Sequence, residues 1–156
     1  METDVLRDQL IQLLDGGNAH ITFKDTVANF PVDHINSRVP SVPYSSWDLI
    51  EHMRLAQFDI LDFIENEDYS ERKWPDDYWP DKSKKATGKD WQNTLSRFNE
   101  DLEALKKIVR NPQVDLTGPI PHAPDYNILR EILLVGDHNA YHTAQIIVIK
   151  RALKIM

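Results

Sequence analysis

The chain has 156 residues, 41% of them apolar and 28% charged, with a formal net charge of −7. That length suits a single domain over residues 1–156 with a true core, and the balance excludes a disordered chain or one that spans a membrane. The acidic charge argues against nucleic acid, which needs a basic face, and with no cysteine in the chain any metal must sit on nitrogen and oxygen donors.

The N-terminus, METDVLRDQL, is amphipathic and acidic and lacks a signal-peptide core, which predicts a cytoplasmic location. Residues 2–15 carry Val5, Leu6, Leu10, Leu13 and Leu14 at a helical period, with Thr3 or Asp4 as cap and Gly16-Gly17 as stop. Residues 18–43 read as irregular, with a short helical piece at 23–30 that has Thr22 or Thr26 near its start. Pro31, Pro40 and Pro43 keep the remainder extended. Such a length suggests a crossover or a site-covering segment.

A second long helix begins at Ser45 or Ser46, with Asp48 placed for a capping box, and runs to about Asn66. The loop after it contains Trp74, Tyr78 and Trp79, which suits packing on the core or on a partner subunit, or a lid over a pocket. Residues 90–110 form a third helix through Trp91, Leu95, Phe98, Leu102, Leu105, Ile108 and Val109, stopped by Asn111-Pro112. After a proline-rich connection, Asp125 can cap a last helix that continues almost to Met156. That helix is apolar around much of its girth and so is expected to be the most buried. No strand is expected. Four long amphipathic helices predict an all-α fold, a four-helix bundle with long connecting loops.

The last helix carries His138 and His142. Four residues are about 400° of helix, so both rings leave one face a turn apart, an arrangement that offers two nitrogens to one metal ion. Asn-Ala-Tyr stands between them, so the general-base glutamate of an HExxH motif is missing and a third donor must come from elsewhere. His20, His34, His52 and His122 are candidates. His52 is best placed, on a helix at the edge of an apolar stripe, and His20, after Gly16-Gly17, could reach a bundle mouth.

The segments WDLIEHMRLAQFDIL around His52 and LREILLVGDHNAYHTAQIIVIKRAL around His138 and His142 resemble the DinB-like family of metalloenzymes. GGNAHITFKDTVANFP and KWPDDYWP are similar to one of its subgroups. The family consists of four-helix bundles with a single His on one helix and His-x-x-x-His-x-x-Gln on the last. The resemblance implies that His52, His138 and His142 bind a divalent metal. It carries over no substrate, since some relatives are metal-dependent thiol S-transferases and others thiol-dependent isomerases. Family analogy and the aromatic loop also point to a homodimer.

Three neutral imidazoles leave an ion with an open position, the catalytic rather than the structural pattern. Zinc and nickel both suit such a site. The chemistry then divides between hydrolysis and transfer involving a thiolate, so a metal-dependent transferase or hydrolase on a small molecule, with a low-molecular-weight thiol as co-substrate, is the leading expectation. The alternative is a non-catalytic metal- or ligand-binding bundle, a sensor or assembly module. A third reading has structural histidines and no metal. Gln145, Asp59 and Glu131 share helix faces with the three histidines and, with His20, are candidates for orienting them. Glu51 and Asp137 point about 100° away and read as solvated. Gly136 costs about 1 kcal/mol within a helix, which close helix approach or a local bulge would explain.

Overall fold

The computed structural model describes residues 2–156. Among these, four long helices dominate: α1 (Glu2–Asp15), α3 (Ser46–Glu65), α4 (Gly88–Arg110) and α5 (Ile128–Leu153), with the short α2 (Phe23–Val27) between the first two. α3 packs against α4 and α5, and α1 packs against the same two helices. Each long helix thus buries a stripe against two neighbours. No described helix is long and apolar enough to cross a membrane.

The caps show why the helices begin where they do. Ser45 accepts from the Asp48 amide while Asp48 accepts from the Ser45 amide at 2.8 Å, a complete capping box. Thr87 and Asp90 repeat the arrangement on α4, which therefore starts at Gly88, two residues before the periodicity suggests. Thr22 caps α2. Two expected caps are corrected. α1 already includes Thr3 and Asp4, so its N-cap position falls outside the described residues. α5 is capped by Asn127, whose side chain accepts from the Arg130 amide. Asp125 instead lies in a strand.

That strand is itself a departure from the expectation of none. β1 (Pro119–Ile120) and β2 (Ala123–Asn127) form a small antiparallel ribbon ahead of α5. Prolines are tolerated there because an edge has no inner ladder to complete. His122 at its turn donates from Nε2 to the Phe63 carbonyl at 2.8 Å and so ties the ribbon to the end of α3.

The core divides into two clusters. One gathers Ile35 of the 18–43 segment with Trp47, Leu49, Ile50, Met53, Trp91, Phe98, Ile146 and Ile149 of the long helices. The other gathers Leu10, Leu14, Leu61, Leu105, Val109, Ile132 and Val135 at the opposite end. Between them, Gln57 donates to the Phe98 carbonyl and accepts from Asn139, which joins α3, α4 and α5 at mid-height. Gly136 is explained by close approach: a Cβ there would lie 2.6 Å from the Leu13 side chain of α1. α5 is less enclosed than its composition suggests, because Leu133, Leu134, Tyr141 and Val148 are exposed along it.

The two long connections are joined to each other. Asn36 donates to the Ala86 carbonyl at 2.8 Å and accepts from the Ala86 amide at 2.9 Å, so one side chain pairs with the loop backbone as a strand would.

Arg7 closes the other end. It is 8% exposed and donates to the carbonyls of Val109 and Val114, both at 2.6 Å. These oxygens lie at and just beyond the C-terminus of α4, where cations are favoured. Arg7→Met is expected to destabilise the fold by about 2 kcal/mol, since charged hydrogen bonds contribute about 1.5–3 kcal/mol and the stranded carbonyls lose their partner. A urea midpoint unchanged from the parent chain would refute this.

Candidate metal centre

The site lies where α3 and α5 face each other. His52 enters from the second turn of α3, and His138 and His142 from the middle of α5, between the two core clusters. The ligand-capable atoms of all three rings lie within 4.8 Å of one another. His52 Nε2 and His138 Nε2 are 3.1 Å apart. The rings of His52 and His142 meet edge to face at 4.7 Å, and those of His138 and His142 at 4.4 Å.

The outward nitrogens of two rings are committed. His52 Nδ1 donates to the backbone carbonyl of Tyr78 at 2.7 Å, and His142 Nδ1 donates to Gln145 Oε1 at 2.7 Å. A carbonyl can only accept, so Nδ1 carries the proton in both rings and each Nε2 presents a lone pair inward. Gln145, three residues after His142, is thus the acceptor for that ring.

Burial holds all three rings in the neutral form. It lowers the pKa of His52 against the opposing effect of the Tyr78 carbonyl, and lowers that of His142 against the effect of Gln145. His138 is pushed down to about 3, by burial first and then by the charges its two neighbours would carry. Neutral imidazoles with inward lone pairs are the form that binds cations. A four-coordinate ion with bonds of about 2.0–2.1 Å sets adjacent nitrogens roughly 3.3 Å apart, close to the His52–His138 separation. The donor set therefore fits a divalent metal.

Aromatic side chains enclose the triad on one side. Trp79 stacks on His52 with centroids 3.9 Å apart and planes 1° from parallel, and Tyr44 stacks on the far face of that pair, 4.5 Å from Trp79. The loop after α3 therefore packs down onto the site and also walls it. Above the histidines opens a cavity of about 1250 Å³, lined by Arg38, Tyr44, Asp48, Trp74, Trp79 and Tyr141 among others. Arg38 is held at its edge by Asp48 at 2.8 Å and by the Pro43 carbonyl.

The other candidates lie elsewhere. Asp59 is buried but accepts from Tyr69 and Tyr78, and so meets His52 only through the loop. Glu131 is buried nearer the start of α5, paired with Arg130. His20 is exposed beside a separate cavity of about 580 Å³, its Nδ1 2.9 Å from the Ile21 carbonyl. His34 lies next to Ser37. Glu51, expected to be solvated, accepts from Arg54 and from Thr94 of α4 at 2.6 Å. Sequence reasoning missed the Tyr78 carbonyl and the Tyr44–Trp79 stack. The first is a backbone atom that no residue type encodes, and the second pairs segments far apart in the chain.

No protein-family profile, curated protein or solved structure matches this chain.

The lowered imidazole pKa values have a consequence for stability. Below the ordinary value of 6.5 the unfolded chain takes up protons that folded His138 refuses until about pH 3. Folding is therefore opposed increasingly as pH falls through that window. In metal-free protein, His138→Gln should gain stability relative to the parent chain as pH is lowered from 6.5. Melting temperatures of the two proteins across the window check this; a pH-independent difference would contradict it.

Proposed function

We propose that the protein is a divalent-metal-dependent enzyme of the DinB-like family, a four-helix bundle in which His52, His138 and His142 hold zinc or nickel. Its reaction is a transfer or hydrolysis on a small molecule, with a low-molecular-weight thiol as the co-substrate class. The observation that carries this reading is the convergence of three neutral imidazoles on the floor of a cavity large enough for substrate. When bound, such an ion supplies Lewis acidity, with which a thiol or water loses its proton near neutral pH. The chain's own residues do the rest. Gln145 and the Tyr78 carbonyl orient His142 and His52. Trp79 and Tyr44 exclude water from one side of the triad, and Arg38 offers a cation at the edge of the cavity. A homodimer is part of the proposal, supported by Leu134 and Val148, which leave 40% and 53% of their surface exposed on α5.

Protein purified without a polyhistidine tag from metal-replete medium is expected to hold about one divalent ion per chain, as three imidazole donors bind one ion. His52→Ala and His142→Ala should each bring that ratio near zero. Transfer of a low-molecular-weight thiol to an electrophile should disappear on chelation and return with zinc or nickel. A parent chain that binds no metal would sink the proposal, and stoichiometric metal without turnover would leave a binding module in its place.

A further inference from the structure

Asp59 is a buried carboxylate on a helix of the core, 7% exposed, yet every polar contact it makes comes from one loop. Tyr78 donates its hydroxyl to Oδ2 at 2.6 Å, Tyr69 donates to Oδ1 at 3.1 Å, and Arg72 Nε pairs with Oδ1 at 3.2 Å. Burial, with the Asp59 charge second for Tyr69, raises that phenol to about 12; Tyr78 is likewise pushed up, by burial and by its bond to Asp59. Both therefore remain donors at any ordinary pH.

Asp59 lies seven residues after His52, about 10 Å along the same helix. Tyr78 bridges that distance: its hydroxyl rests on Asp59 while its backbone carbonyl accepts from His52 Nδ1. The next residue, Trp79, lies flat on the His52 ring. One carboxylate thus fixes the tyrosine whose carbonyl sets the tautomer of a metal-ligating candidate and whose neighbour covers that ring.

We propose that Asp59 is a positioning residue for the metal centre, acting through Tyr78. It clamps the loop so that His52 is held as the Nδ1–H tautomer with Nε2 turned inward. The inference rests on the reading of the triad as a metal site. It adds that loop closure and metal affinity are linked: metal bound to His52 favours the closed loop, and loss of the clamp weakens metal binding to the same degree.

The test uses the full chain with Asp59→Asn and Tyr78→Phe, the second removing a single hydroxyl and leaving the carbonyl. Imidazole nitrogen shifts in zinc-free protein should show His52 as Nδ1–H in the parent and as a mixture of tautomers in both variants. Competition with a chromophoric chelator should show zinc affinity at least tenfold weaker in Asp59→Asn, the scale of loss when a ligand loses its orienting partner. Far-UV circular dichroism confirms that the helices persist. An unchanged His52 tautomer in Tyr78→Phe overturns the clamp, whether or not Asp59→Asn folds. If the parent chain binds no zinc, the metal reading fails, while the tautomer comparison still decides the clamp.

Discussion

The contact between His52 and His138 is the constraint around which the rest of the molecule is arranged. It brings together residues 86 apart in the chain at a separation of 3.1 Å, on the partly buried floor of the cavity. Polar rings buried this way must have their outer nitrogens satisfied, and they must remain uncharged or repel one another. Carbonyl oxygens take the outer protons of His52 and His142, and burial suppresses protonation of all three rings. α3 and α5 can then approach closely, with the Gln57–Asn139 pair tying them together beside the rings.

The parts of the structure that follow a helical period could be read from the chain. Leu49 and Met53 on α3, and Ile132, Val135, Ile146 and Ile149 on α5, are all buried, and the pairing of Ser45 with Asp48 marked the start of α3. The four-residue step from His138 to His142 placed two rings on one face because helix geometry is local. His52 needed more, since its approach depends on how two helices pack. Asp59 shows the limit of face-sharing arguments. Its position two turns after His52 makes it a candidate for orienting that ring, but a carboxylate cannot reach along 10 Å or so of helix, and its connection runs through a loop whose path no periodicity describes. Glu131 shares a face with His138 in the same way, yet pairs with the adjacent Arg130.

The site divides its tasks between rigid and irregular elements. Helices, whose backbones are fixed by their own hydrogen bonds, supply the three inward nitrogens. The loop supplies orientation and cover, through one backbone oxygen and one indole face. The nitrogens thus take their spacing from helix packing, and their cover from the loop. Asp59, a buried carboxylate on α3, faces this loop rather than the core and holds Tyr69, Arg72 and Tyr78 together.

The doubled amide contact between Asn36 and Ala86 bears on how a molecule would enter. Segments on both sides of that stitch line the cavity, Arg38 and Tyr44 from one connection, Trp74 and Trp79 from the other. Sewn together, they form a single canopy rather than two independent flaps. The residues that line the cavity from the two connections are thereby placed relative to each other, and a change in the course of one reaches the wall built by the other.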